Sequence, residues 1–297
     1  LVAVFFVTQT LLDIQLLPWA FAQSRSFNSL GSWSGLGVFF GFIAALLLPF
    51  LSFRIAPRIR ILSIAAFAAA FGGMAAVNYF WSWIALGFVA IAFLALLVSH
   101  LRERALIGAP LFVLLLVVFG ILAQRPLSFY LSPLSAELEL APNFSATAQV
   151  ARSVMQESPF FGMGPNHFAL AWDKFKPAAV NLGPFWGARL DTGMSPVSTA
   201  FAEGGAFGGV TLLLFIGFFV WHALKNVGSI SLKEETPFGP LSALLLRSAF
   251  AGSLFLFLLW FLAPLTLTLI LLTFFVAGLY LAAEAHFFFH AHDGSAV

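Results

Sequence analysis

Long apolar stretches separated by short polar segments dominate the chain. Seven of them approach or exceed the roughly 20 residues that a helix needs to cross a membrane, and a weaker eighth at the start is interrupted by polar side chains. The predicted spans cover residues 1–21, 33–53, 61–79, 81–99, 105–123, 207–224, 241–262 and 265–283. This pattern predicts an all-α fold, a polytopic transmembrane helical bundle.

A long polar segment, residues 125–205, follows the fifth span. Gly, Pro, Trp, charged residues and a histidine concentrate in and just beyond its second half, from Glu157 to Gly209, and residues 145–156 and 168–175 have helical spacing. Long loops of membrane proteins commonly carry recognition or chemistry. We therefore expect N-terminal helices (1–124), a helical external loop domain (125–205), C-terminal helices (206–284) and a flexible tail (285–297).

Several aromatic residues of this segment are too apolar for a solvated loop. We expect the loop to fold down onto the bundle and to seal a lateral opening for a lipid tail. The residues concerned are Phe160, Phe161, Trp172, Phe185 and Trp186.

Composition excludes a water-soluble fold. Hydrophobic residues make up 61% of the 297 residues and charged residues 9%, against roughly a quarter charged in soluble domains. A formal charge of +2 gives no reason to expect nucleic acid as a partner, and the lack of cysteine rules out a disulfide or thiolate metal site. Because Leu1 already lies inside an apolar run, we expect upstream spans to be missing.

Basic residues in the short loops predict the orientation. Counting spans places three basic loops on the same face, which the positive-inside rule makes cytoplasmic. The long segment then lies on the opposite, external face. The basic residues are Arg54, Arg58, Arg60, Arg102, Arg104, Lys225 and Lys233.

Two motifs of the polar segment suggest a family. The first is Ser158-Pro159-x-x-Gly162-x-Gly164-Pro165-Asn166-x-Phe168, followed by a helix with Trp, Lys and Pro; the second is Ala202-Glu203-x-Gly205-x-x-Gly208. Together they resemble the O-antigen ligase and polymerase superfamily, which Asn28-x-x-Gly31-x-Trp33 matches more loosely.

The resemblance implies a bacterial cytoplasmic-membrane protein with a periplasmic loop. Its implied activity is transfer of a glycan from an undecaprenyl-diphosphate carrier to an acceptor hydroxyl on a glycan or lipid, without a nucleotide sugar, metal or other cofactor. One departure matters: many members carry a His-Asn pair nine residues before the Glu of the second motif, where this chain has Met194 and Ser195.

Such chemistry needs a cation for the leaving diphosphate and a polar group for the attacking hydroxyl. Arg189 is the first candidate cation, with an ordinary ion pair to Asp191 as the alternative. Arg152 is the second candidate, although a solvated helix face also explains it. His167 is the candidate general base, because histidine is a common one in enzymes, with a capping or packing role as the alternative.

Glu203 is a catalytic candidate whose position near a helix start has an equally good electrostatic explanation. A lipid headgroup or substrate could also be bound by Lys174, Lys176, Trp172 and Trp186, with a solvated amphipathic face as the alternative for the lysines.

Two other function classes remain open. A transporter or flippase would show polar residues and helix breaks at mid-membrane, and the first five runs contain few. A non-catalytic protein with a ligase-like scaffold is the other class, which the missing His-Asn pair keeps open. Asp13 and Arg247 lie within apolar runs, near enough to the ends for their charges to reach the interface.

Overall fold

The computed structural model describes residues 30–53, 55–98, 107–126, 139–182, 186–227 and 239–293, with a few single positions before residue 30. The predicted first span and loop residue Phe185 lie outside the described residues. Within the described part all regular structure is helical, which confirms the all-α prediction. The helices are α1 Trp33–Ser52, α2 Pro57–Val77, α3 Phe80–Leu96, α4 Gly108–Leu122, α5 Phe144–Glu157, α6 Phe168–Phe175, α7 Ala178–Asn181, α8 Pro196–Val227, α9 Gly239–Leu262 and α10 Leu267–Asp293.

Five of these helices, α1, α2, α8, α9 and α10, are long and apolar enough to cross a membrane. Helices α3 and α4 are apolar but shorter. An integral membrane protein whose spans contact lipid is therefore confirmed.

Helix α2 begins earlier than the apolar pattern predicts. Its first residue is Pro57, four positions before the predicted span 61–79. Proline fits there because the first helical N–H has no partner within the helix and the ring already holds a helical φ.

The chain forms two compact units. The first contains Leu1–Glu137, Ala223–Leu256 and Thr266–Val297. Its helices approach one another at glycines: a Cβ on Gly73 would lie 2.7 Å from the Phe40 ring, and one on Gly41 would lie 2.6 Å from the Phe255 ring. Small residues serve this purpose in membrane helices, where close van der Waals packing drives association.

Arg247 is buried in this first unit. Only 3% of the residue is exposed, and its guanidinium carbon lies 4.8 Å from the centre of the Phe53 ring. This distance fits a cation–π contact. The side chain therefore packs inside the protein. The sequence alone had suggested that its charged group could extend to the membrane interface.

The second unit contains Leu138–His222 and Phe257–Leu265. Helix α5 begins after Asn143, whose side-chain oxygen accepts a hydrogen bond of 2.7 Å from the Ala146 N–H. Asparagine is among the best residues for this N-cap role. Helix α5 thus extends one residue beyond the predicted helix 145–156 at each end, and α6 has the predicted bounds 168–175.

Helix α8 extends further than its apolar run. It begins at Pro196 rather than at Phe207, and its helical conformation is interrupted at Gly205, where φ is 58° and ψ is −151°. At the other end of the chain, α10 continues to Asp293. Residues 285–293 of the segment expected to be a flexible tail are therefore helical.

Candidate functional site

The two motifs that carry the family resemblance lie against each other in the second unit. The turn at residues 158–164 crosses α8 at its interruption. Because the intrahelical pattern fails at Gly205, backbone groups of α8 are available to another segment. The four hydrogen bonds are Met163 N–H to Ala202 O (3.1 Å), Gly164 N–H to Glu203 O (2.8 Å), Ala206 N–H to Pro159 O (2.8 Å) and Phe207 N–H to Phe160 O (3.2 Å).

Glycine is required on both sides of this crossing. Gly162 and Gly205 both have positive φ, 64° and 58°. A Cβ on Gly162 would lie 2.6 Å from the backbone oxygen of Glu203, and one on Gly205 would lie 2.7 Å from that of Phe160. The backbones therefore approach more closely than any side chain permits.

Glu203, which lies at this crossing, also contacts the start of helix α6. Its Oε1 atom accepts a hydrogen bond of 3.1 Å from the backbone N–H of Phe168, the first residue of α6. A carboxylate at a helix N-terminus is stabilised by the unsatisfied N–H groups and by the helix dipole. The sequence interpretation placed Glu203 near the start of its own span, whereas its partner is the start of α6.

A small apolar core supports this arrangement. Phe168 and Trp172 are buried and their rings stack with centroids 6.5 Å apart. Trp172, a candidate substrate-binding residue, is therefore a core residue. The buried members of the core are Ala146, Val150, Ala151, Val154, Phe168, Ala171, Trp172 and Ala202.

His167 lies on the surface immediately before α6. Its Nδ1 atom is 2.8 Å from the carbonyl oxygen of Pro165. A carbonyl only accepts, so Nδ1 must donate, and in the neutral ring Nε2 then carries the free lone pair. The preceding residue, Asn166, has φ 59°. The exposed ring is thus oriented by its neighbour and keeps a nitrogen that can accept a proton.

Arg189 and Asp191 form an ion pair. Arg189 Nε donates to Asp191 Oδ1 at 3.1 Å, and the side chains are 78% and 73% exposed. An exposed pair of this kind contributes about 0–1 kcal/mol to stability. The structure therefore contains the ion pair that was the alternative explanation for Arg189. The pair leaves most of the guanidinium accessible.

Of the other basic candidates in the second unit, Arg152 and Lys174 are exposed and Lys176 is half-buried. Arg152 is exposed on α5, Lys174 pairs with Glu157, and Lys176 donates to the backbone oxygen of Trp186 at 3.0 Å. Among the described residues, no hydrogen bond or ion pair connects Arg152 or Arg189 with His167 or Glu203. Glu203 lies at the crossing, and His167 directly precedes Phe168, whose N–H donates to Glu203.

An apolar cavity of about 250 Å³ opens in this unit. Ala188 and Leu190, the chain neighbours of Arg189, both line it, and Trp172 forms part of its wall. The full lining is Leu140, Ala141, Pro142, Asn143, Ala146, Trp172, Val180, Ala188 and Leu190. The accessible Arg189 is therefore flanked in the sequence by two residues that line an apolar cavity.

Met194 and Ser195, the residues nine and eight positions before Glu203, form backbone and side-chain hydrogen bonds at the start of α8. The Met194 N–H donates to Thr147 Oγ1 at 3.1 Å, and Ser195 Oγ accepts from the Ser198 N–H at 3.3 Å at the start of α8. Thr147 is fully buried, and its hydroxyl also donates to the backbone carbonyl oxygen of Asn143 at 3.0 Å. Sequence reasoning missed Thr147, because a threonine inside an amphipathic helix gives no signal of a partner 47 residues away.

The aromatic residues of the loop differ in their exposure. Trp172 is buried, but Phe160, Phe161 and Trp186 are exposed. Phe160 and Phe161 each contact one neighbouring ring, that of Phe207, with centroids 5.7 and 5.5 Å away. That the loop folds onto the bundle and seals a lateral opening for a lipid tail stays a prediction.

Comparison with known proteins gives no relative. No family model matches the chain, and neither a curated protein nor a solved structure matches it.

Proposed function

We propose that this protein is a membrane enzyme that transfers a glycan from an undecaprenyl-diphosphate carrier to an acceptor hydroxyl, as O-antigen ligases and polymerases do. The observation that carries the proposal is the crossing of the two resembling motifs. Residues about 40 positions apart form one backbone-bonded unit, and the glycines of both motifs are sterically required there. A chance resemblance of two Gly-rich segments gives no reason for them to meet.

In the proposed reaction the acceptor oxygen attacks the anomeric carbon of the donor sugar. The bond between that carbon and the diphosphate oxygen breaks, the acceptor loses its proton, and undecaprenyl diphosphate leaves. Negative charge grows on the leaving oxygen, so a fixed cation stabilises the transition state more than the ground state. We assign this role to Arg189, whose planar guanidinium matches phosphate oxygens and is largely exposed.

His167 is assigned as the base that receives the acceptor proton. Its Nδ1–H is held by the Pro165 oxygen, which leaves Nε2 to accept. Glu203 has a positioning role, because its carboxylate holds the N-terminus of α6, directly after His167. The cavity beside Arg189 is assigned to the isoprenoid unit next to the diphosphate, since its lining is apolar.

A transfer assay with the full-length protein in proteoliposomes tests the assignment of Arg189. The donor is a labelled undecaprenyl-diphosphate oligosaccharide, and released undecaprenyl diphosphate reports transfer. Arg189→Ala should reduce the rate by roughly two to three orders of magnitude, the scale for removing one such stabiliser. Arg189→Lys should also lose much of the rate, because it keeps the charge without the planar fork.

Asp191→Asn is the matched control. It removes the same ion pair but keeps the cation. If Arg189 binds the diphosphate, Asp191→Asn should transfer at a near-normal rate. If the pair is only structural, Asp191→Asn and Arg189→Ala should lose the same activity. Near-normal transfer by Arg189→Ala would move the clamp to Arg152. A wild-type protein that releases no carrier with any acceptor would favour the non-catalytic scaffold.

The proposed reaction also assigns a location. Residues 125–205 would lie on the external face of a bacterial cytoplasmic membrane, where lipid-linked glycans are joined to acceptors in the resembling family. Arg58 and Arg60 in the first turn of α2, and Lys225 near the end of α8, would then face the cytoplasm.

A further inference from the structure

The turn that carries Phe160 and Phe161 is hydrogen-bonded to α8 beside its interruption at Gly205. The Pro159 and Phe160 carbonyl oxygens accept hydrogen bonds from the N–H groups of Ala206 and Phe207 at 2.8 and 3.2 Å. These bonds hold the backbone of the turn against α8. Both rings are nevertheless exposed, Phe161 by 73%.

A stripe of exposed apolar side chains runs along α8 from this turn. Its members recur every three or four residues and therefore share one face of the helix. They are Phe207, Val210, Leu214, Phe218 and Trp221. Only 22% of the most apolar stretch of this helix is buried within the protein, although its length and composition suit a span. Such a face is suited to lipid.

The stripe alone is short for a bilayer. Fourteen residues separate Phe207 from Trp221, and at 1.5 Å per residue they cover about 21 Å, against about 30 Å for the hydrocarbon core. The Phe160 and Phe161 rings contact Phe207 at one end and extend the same apolar surface.

We infer that the Phe160–Phe161 turn is a membrane-inserted anchor, whose rings enter the lipid beside Phe207, where the exposed apolar stripe of α8 begins. The partner is the bilayer itself, at the boundary between headgroups and acyl chains. Continuity with the exposed face of a span favours lipid over water, because two uncharged rings next to a lipid-facing stripe gain nothing from hydration. The anchor would fix the depth of the motif crossing, because Gly162 and Gly164 follow the rings directly in the chain. This inference does not depend on glycan transfer.

Fluorescence quenching in the full-length protein tests the anchor. The chain has no cysteine, so Phe160→Cys and Phe161→Cys can each be labelled with a bimane and reconstituted into vesicles of phosphatidylcholine and phosphatidylglycerol. Quenchers are aqueous iodide and a lipid with a doxyl group near the top of the acyl chain. Thr192→Cys, an exposed polar site in the same unit, is the control.

We expect blue-shifted emission at both Phe positions, quenching by the doxyl lipid and protection from iodide, with the reverse at Thr192. Iodide quenching at 160 and 161 equal to that at 192 would place the turn in water and overturn the anchor. Protection from both quenchers would mean that protein, such as a second copy of the chain, covers the rings, and would overturn it equally. Two labelling sites guard against a local disturbance at one of them.

Discussion

Gly162 and Gly205 lie so close that a Cβ atom on either would be 2.6 Å from the backbone nitrogen of the other. They are 43 positions apart in the chain, and each belongs to one of the two Gly-rich motifs that form the crossing. Each has a positive φ, and the ψ of −151° at Gly205 falls in a region that essentially only glycine adopts. The crossing therefore depends on glycine for space and for backbone conformation.

Replacing Gly205 by alanine should destabilise the second unit. The backbone conformation alone costs roughly 1–3 kcal/mol for a residue with a Cβ, and the contact with Phe160 adds to this. Gly204→Ala is the matched control, because a Cβ there meets nothing within 4 Å. The temperature at which the purified protein loses its monodisperse elution peak, together with protease sensitivity of the 158–205 segment, measures the difference. Equal stability of the two variants would contradict the crossing.

Substitutions of Glu203 should separate the hydrogen bond from the charge. Glu203→Ala leaves the Phe168 N–H without its acceptor, at a cost of roughly 1–3 kcal/mol for a buried donor and less for this partly buried one. Glu203→Gln keeps an oxygen in place and should retain most of the stability. Hydrogen exchange of the amides at the start of α6 reports the effect, with faster exchange expected in Glu203→Ala. Unchanged exchange in that variant would show that the carboxylate does not hold the helix.

Single cysteines in the cysteine-free chain test the orientation. Ala178 is exposed at the start of α7, and Ala178→Cys should react with an impermeant thiol reagent added to intact cells, as should Ser135→Cys. Ser231→Cys should react only after the cells are opened, because the basic loops predict a cytoplasmic position for it. Residues 135 and 231 lie outside the described residues. The opposite labelling pattern would place the proposed site on the wrong face and remove the basis for periplasmic glycan transfer.

Local patterns in the sequence determined most of the helices. Helix α6 has the predicted bounds 168–175, and α5 differs from its prediction by one residue at each end. Such segments are defined by the spacing of apolar residues and by capping residues such as Asn143, which act within a few positions. The apolar pattern also indicated the five long apolar helices, because the bilayer imposes the length and composition of a span.

Only the tertiary structure decided what the polar residues do. Glu203 was visible as an acidic residue near a span, but its hydrogen bond reaches Phe168, 35 positions earlier. Trp172, a binding candidate, is a core residue, whereas the Phe161 ring in the same segment is exposed. The helical run of α8 also begins eleven residues before its apolar pattern. Periodicity gives the faces of each element, but contacts between distant segments depend on the free energy of packing the whole unit, which no local pattern encodes.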